Sequence, residues 1–283
     1  MPPQRPLVIL GSGYTGRCLY RAAQQQALPI QASSRRPDIH LTYVEPQARL
    51  RFDLADPASW SSLPPGADLI WTFPAAPLAQ VQAFGRHYCR PPQKLVVLGS
   101  TSAYDTQSRD AAPPARSIDE TSPINTSLLR VQGEEYLRSE HGAIILRVAG
   151  IYGPQRSPLE WIRQGRVGPT AKIVNFIHVE DLARLCLLAL QDGQAGEVYN
   201  VSDGQPRPWA DICAEASRRW GIVSPRQETD TTSGKCIVNK KLVEHFHYTF
   251  LHPDIYLALE AMQLPPPRGE EPPPQDIRAR GRS

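Results

Sequence analysis

The sequence predicts an α/β protein built on a doubly wound parallel sheet, with a smaller part toward the C-terminus. Three observations predict it. Short apolar runs alternate with helix-like stretches over most of the 283 residues. The runs are apolar throughout, as in strands covered on both faces. The first run is followed at once by glycines at Gly11, Gly13 and Gly16 and then by a helix-like stretch.

Leu7 to Leu10 reads as the first strand. Gly11 permits the turn, Gly13 lets the backbone approach a pyrophosphate, and Gly16 lets the helix pack closely on the strand. The run from Arg17 to Ala27 is the helix, and the free N–H groups at its start suit phosphate charge. Gly11-Ser12-Gly13-Tyr14-Thr15-Gly16 is therefore the expected dinucleotide turn of a Rossmann-type fold. A glycine-rich turn without a ligand is the other reading. Pro29 to Ser33 is the second strand, ending in Ser34-Arg35-Arg36. An acid at this point would hold a ribose 2'-hydroxyl. Serine and two arginines suit a 2'-phosphate, so NADP is expected over NAD. An ordinary solvated loop is the alternative, and Asp38 lies close by.

Leu50 to Phe52, with Asp53 and Leu54, ends the third strand, and Asp56-Pro57-Ala58 opens a short helix with aspartate as its cap. Asp68 opens the fourth strand, and Thr72-Phe73-Pro74 leads out of it as a wall for the nicotinamide end. Pro77 to Cys89 is a helix and Lys94 to Ser100 the fifth strand. Gly11–Gly16, Ser34–Arg36, Asp53-Leu54, Phe73-Pro74 and Ser100–Ser102 thus converge at the carboxyl edge, where such sheets bind ligands. A long polar loop is expected from Tyr104 to Pro123, a helix from Asn125 to Glu140, a sixth strand from Ala143 to Val148 and a turn from Ile151 to Pro154. A short strand (174–177), a helix (179–191), a strand (197–201) and a helix (208–220) follow. Beyond a polar stretch (222–233), residues 239–245 and 254–262 read as short helices. The prolines from Pro265 to Pro274 suit neither helix nor strand, so 264–283 reads as a flexible tail. Residues 1–154 plus about 172–203 are expected to form the dinucleotide-binding domain. Residues 155–171 and 204–263 would form a smaller substrate-binding part.

Five segments line up in order: Gly11 to Gly16, Ser100-Thr101-Ser102-Ala103-Tyr104, Arg147 to Pro154, Asn175 to Ala183, and Tyr199 to Asp203. Together they resemble the extended short-chain dehydrogenase/reductase superfamily in its NAD-dependent epimerase/dehydratase branch, over about 7–262. The resemblance implies an NAD- or NADP-binding sheet and a carbonyl, alcohol or nucleotide-sugar substrate. It also implies catalysis by a Ser/Thr after strand five and a Tyr-x-x-x-Lys on the next helix. Here Thr126 stands at the tyrosine position and Arg130 at the lysine position. Threonine is too weak an acid for the tyrosine's work, and arginine cannot relay a proton. The branch's first glycine is also replaced, by Leu10. The chain thus resembles an atypical member.

Catalytic candidates are Ser102, as a hydrogen bond to a carbonyl, and Tyr104, whose hydroxyl would be activated by Arg130. Packing of Tyr104 under the loop is the competing reading. His178 is a further candidate on its ordinary pKa, against a role as substrate wall. Asp181 is expected to fix the local helix start. Ser100 and Arg130 join the cofactor residues, Arg147 and Tyr152 the substrate residues. Glu134 reads as the i,i+4 partner of Arg130. His245 and His247 have no evident co-ligands, so no metal is expected. Function divides between an NADP(H)-dependent oxidoreductase or epimerase and a non-catalytic NADP-binding sensor, with an idle cleft the remotest reading.

Apolar residues make up 41% of the chain, enough for a real core, and the net charge of +3 comes from mixed signs. No basic run is interleaved with aromatics and no apolar run approaches the length of a membrane span, so nucleic-acid and membrane partners are not expected. The N-terminus does not read as a signal peptide, and the 5 cysteines are isolated. A reduced cytoplasmic protein, monomeric or homodimeric, acting on a small molecule is the expectation.

Overall fold

The computed structural model describes residues 5–91, 93–105, 115–226 and 234–263. The expected tail at 264–283 lies outside the described residues, as do parts of the loops expected at 104–123 and 222–233.

Leu7–Leu10 (β1) is buried at every position and runs into Tyr14–Gln25 (α1). Ile30–Ser34 (β2), the short helix Pro37–His40 (α2) and Arg49–Arg51 (β3) follow. The short helix expected here is a 3-10 helix over Pro57–Ser62, capped as expected by the Asp56 carboxylate on the Ala58 N–H. Asp68–Trp71 (β4), Leu78–Tyr88 (α3) and Leu95–Ser100 (β5) complete the first half, and Thr101–Tyr104 is a further 3-10 turn. Arg116–Ile118 (β6), Leu129–His141 (α4), Ile144–Val148 (β7) and Gly150–Tyr152 (β8) follow. Then come Pro158–Arg163 (α5), Ile173–Val174 (β9), Phe176–His178 (β10), Val179–Asp192 (α6) and Val198–Val201 (β11). Arg207–Pro208 (β12), Trp209–Trp220 (α7), Lys235–Ile237 (β13), Lys240–Phe246 (α8) and Ile255–Gln263 (α9) end the described chain.

The central sheet has 7 strands in the order β11-β7-β5-β4-β1-β2-β3. Every ladder in it is parallel. The chain winds outward from β1 in one direction through β2 and β3. It then returns to the other side of β1 through β4. The switch point therefore lies between β1 and β4, and the crevice beyond their carboxyl ends is where this architecture binds ligands. One apolar cluster covers each face. Leu19, Ile70, Leu146, Leu182 and Tyr199 belong to the first, and Trp60, Leu69, Trp71, Phe84 and Leu137 to the second. A third cluster, around Tyr152, Leu159, Phe176, Ile212 and Leu259, joins β8 and β10 to α5, α7 and α9.

Three local expectations are corrected. The helix expected from Asn125 begins only at Leu129. The Asn125 side chain accepts from the Ser127 N–H at 3.1 Å and the Ser127 hydroxyl at 2.5 Å, and this local turn competes with helix. The turn expected at 151–154 begins as strand β8, which pairs with β10. The single strand expected at 174–177 is two: β9 pairs with β12 and β10 with β8. All 5 cysteines are free, and no helix among the described residues is long and apolar enough to cross a membrane.

Candidate functional site

The dinucleotide turn sits at the switch point. Gly11 has φ +105°, and a side chain there would meet the Thr72 hydroxyl at 2.6 Å. A Cβ at Gly16 would lie 2.3 Å from the Gly11 carbonyl oxygen, so only glycine lets α1 start this close to β1. Gly13 faces open space and caps α1 without a side-chain bond, leaving first-turn N–H groups to an outside partner. Ser12 is half-buried beside it. Thr72 donates to the Leu10 carbonyl at 2.9 Å and so pins the end of β1 to β4. Tyr14 turns the other way: a Cβ at Gly153 would lie 2.6 Å from its hydroxyl, which is buried without a hydrogen-bond partner among the described residues.

A basin of about 400 Å³ opens beyond β2 and β3, lined by Arg35, Arg36, His40 and Asp53. Both arginines are exposed. Ser34 does not face the basin as a free group. Its buried hydroxyl bonds His40 Nδ1 at 2.7 Å and accepts from the Arg36 N–H at 3.2 Å, which fixes the loop that carries the arginines. Leu54 is 7% exposed and belongs to the core, so only its backbone remains for a ligand. Asp53 accepts from the Ala55 N–H at 3.0 Å.

A second cleft, of about 150 Å³, is lined by Thr15, Thr72, Phe73, Pro74, Leu98, Gly99, Arg130, Glu134, Val148 and Ile151. Glu134 is not the surface partner of Arg130 that its spacing suggests. It is 1% exposed, and its Oε2 has no hydrogen-bond partner among the described residues. Burial pushes its carboxyl up to about 7, against the pull of Arg130 and Arg147. Its signal was in the sequence: Val131, Glu134 and Leu137 recur on one face of α4, and all three are buried. His40, in the basin, was likewise not foreseen.

Thr126 and Tyr104 are not among the residues that line this cleft. Thr126 lies in the turn before α4, so it shares no helix face with Arg130. Tyr104 is 4% exposed; its hydroxyl donates to Asn200 Oδ1 at 2.7 Å and accepts from Arg147 at 3.1 Å. The cation beside it is therefore Arg147, 5.0 Å from its ring centre, and not Arg130. Burial raises the Tyr104 hydroxyl's pKa above its ordinary value. Arg147 itself is 3% exposed and also bonds Glu135 at 3.1 Å, so it braces β7 against α4. Tyr152 is fully buried in the third cluster. Ser100 and Ser102 remain at the sheet edge, their hydroxyls 3.2 Å apart.

His178 is 3% exposed and caps α6, its Nδ1 accepting from the Glu180 N–H at 3.3 Å. Burial, then the neighbouring His252, lowers its pKa below the ordinary histidine value. Asp181 does not fix its own helix start. It accepts from the Tyr248 hydroxyl at 2.8 Å and from the N–H groups of Leu251 and His252 at 2.7 and 3.0 Å, tying down a distant loop. His178, Glu180 and His252 bring ligand-type atoms within 4.8 Å of one another. The His252 ring already bonds Glu180 at 2.8 Å.

A family model described as the NAD dependent epimerase/dehydratase family matches residues 83–202. Protein YeeZ of Escherichia coli (strain K12) is 26% identical over 167 residues, which span 57% of this chain and 59% of YeeZ. The match therefore covers less than two thirds of that relative. Among solved structures, a functionally unknown conserved protein from Silicibacter pomeroyi superposes with TM-score 0.72 at 23% identity, over 92% of this chain and 98% of its own. A short-chain dehydrogenase/reductase superfamily protein from Agrobacterium tumefaciens, with bound NAD, superposes with TM-score 0.72 at 15% identity, over 91% and 96%. The fold agrees throughout, and the segment matched by the family model runs from within α3 to just past β11. Residues 83–202 are thus similar to the NAD dependent epimerase/dehydratase family, and more than nine-tenths of the chain shares the fold of these solved structures.

Proposed function

We propose that this chain binds a nicotinamide dinucleotide, prefers its 2'-phosphorylated form, and acts as an oxidoreductase or epimerase on the carbonyl or hydroxyl group of a small or nucleotide-linked substrate. The observation that carries the reading is the open, uncapped glycine turn at the switch point, with the Arg35–Arg36 basin at the end of β2. The residues fit such a group. Gly13 leaves room for a pyrophosphate against the α1 N-terminus. Arg35 and Arg36 offer charge to a 2'-phosphate, with His40 beside them. Thr15, Thr72, Phe73 and Pro74 would wall the nicotinamide end, and Arg130 could hold a ribose or phosphate oxygen. Ser102, at the sheet edge, would hydrogen-bond a substrate carbonyl, and Ser100 beside it would face the cofactor. A bound nicotinamide supplies hydride exchange; the protein's part is to position and polarise. The Agrobacterium tumefaciens neighbour carries NAD, which supports the class of ligand.

Titration calorimetry with NADP+ and NAD+ tests the reading. The wild type should bind NADP+ the more tightly. Arg35→Ala with Arg36→Ala should weaken NADP+ by about tenfold or more and NAD+ by less than about threefold, as loss of charge-assisted bonds to one phosphate would. Equal wild-type affinities overturn the preference, and no binding of either overturns the reading. A non-catalytic NADP-binding sensor is the second reading. It is favoured by Thr126 standing outside α4 and by the engagement of the Tyr104 hydroxyl with Asn200 and Arg147.

A further inference from the structure

We infer that Glu134 is the proton-handling residue of the cleft, its Oε2–H supplying the proton that a carbonyl oxygen needs when its carbon receives hydride. The inference rests on the proposed reading that a nicotinamide dinucleotide occupies this cleft. Reduction of a carbonyl needs one hydride on carbon and one proton on oxygen. Tyr104, Thr126, His178 and Arg130 are each unsuited to give that proton, by engagement, position, capping or permanent charge.

Glu134 has what they lack. It lines the cleft together with Thr72, Phe73 and Arg130. It is 1% exposed, and its Oε2 has no partner among the described residues, an expensive arrangement for a carboxyl with only a packing role. Its carboxyl lies over Gly99 at the end of β5: a methyl there would stand 2.8 Å from Oε2. The charged groups that face it are Arg130 and Glu135 from α4 and Arg147 from β7. Burial outweighs the two arginines, so the acid keeps its proton near neutral pH and can give it up there.

The step balances. The O–H bond of Glu134 breaks, its electron pair stays on the carboxylate, the proton forms the alcohol O–H, and solvent reprotonates Glu134 through the cleft. In the opposite direction the carboxylate takes the alcohol proton. The oxidised nicotinamide ring is cationic and the reduced ring neutral, so a carboxylate beside the cleft favours the oxidised form and a neutral acid does not.

That charge difference gives a test that needs no substrate. Affinities for NADP+ and NADPH are measured by titration calorimetry from about pH 5.5 to pH 8.5 on the wild type and Glu134→Gln. In the wild type the preference for NADP+ over NADPH should rise by about tenfold across that range, and in Glu134→Gln it should be flat. If both nucleotides bind and the wild-type preference is flat, the inference is overturned while the binding reading stands. Equal weakening of both nucleotides by Glu134→Gln, with the pH dependence kept, reduces the residue to packing and overturns it too. If neither nucleotide binds, the binding reading itself has failed and the inference with it. Should Glu134→Gln not fold, Gly99→Ala displaces the carboxyl without removing it. The midpoint of the pH dependence should then move, and an unmoved midpoint overturns the inference.

Discussion

Replacing Gly133 by alanine probes the contact that places both Arg130 and Glu134. Gly133 is buried in the second turn of α4, where that helix passes over the loop after β4. An added Cβ would lie 1.9 Å from the Ala75 carbonyl oxygen and 2.9 Å from its carbon, both backbone atoms. Real Cβ contacts do not fall below 3.0 Å, so helix and loop must separate by the difference. Two effects oppose each other. Alanine improves the helix by about 1 kcal/mol over glycine. Overpacking of a tight contact costs about 1–3 kcal/mol, toward the upper end or beyond when backbone has to move. We expect a net loss of about 2 kcal/mol, a fall in Tm of roughly 3–4 °C for a chain of this size. Urea denaturation and scanning calorimetry measure it, with Ser139→Ala on the exposed face of the same helix as the reference. The displacement of α4 should also weaken NADP+ binding, because Arg130 and Glu134 move with it. A Gly133→Ala protein as stable as the wild type, or more so, would refute the reasoning, since helix propensity would then be the only term at work.

Two further outcomes follow from the same residues. Glu134 ordinarily titrates at 4.5 and in the fold at about 7. Below 4.5 it is neutral in folded and unfolded chains alike; between the two values the unfolded chain has lost the proton and the folded one keeps it, so its contribution falls as pH rises and levels off above 7. Without cofactor, Glu134→Gln should therefore gain about 3 kcal/mol relative to the wild type between acid and mildly alkaline pH. Urea midpoints at several pH values check this, and a pH-independent difference counts against it. Tyr104→Phe should cost about 1–3 kcal/mol by leaving Asn200 and Arg147 short of a partner, with NADP+ affinity unchanged in calorimetry. A stable Tyr104→Phe protein that binds normally yet loses turnover by about 10²-fold would return the acid's role to Tyr104.

The strands of the central sheet were legible because each carries its own signal. Leu7 to Leu10 or Leu95 to Val97 needs no knowledge of its neighbours to read as buried strand. The glycine turn was legible for the same reason: turn geometry is local. Pairings set by distant contacts were not. β6 has little apolar character and exists as a strand through its ladder with β13, more than a hundred residues away in sequence. The start of α4 was misread because the turn chemistry of Asn125 outweighs an otherwise helix-like sequence.

The placement of the glycine turn and of the exposed Arg35 and Arg36 was legible in the sequence, and the buried surroundings of Tyr104, Arg147 and Glu134 were not, for one physical reason. Phosphate recognition uses backbone and exposed cations, whose availability follows from residue type and position. Acid–base chemistry depends on what a side chain is buried against, which sequence spacing does not state. Arg147 carries this most clearly. Its place in a family-like segment reads as a substrate contact, yet a guanidinium in the middle of a covered sheet must be answered by buried partners. Glu135 and Tyr104 answer it. That requirement draws Tyr104 away from the cleft, and it takes Glu135, the neighbour of Glu134, out of competition for any ligand. Among the described residues, α4 lines the cleft with Arg130 and with Glu134, whose Oε2 has no hydrogen-bond partner there. On α4 the cleft is thus lined by a guanidinium and by a carboxyl that burial pushes up to about 7.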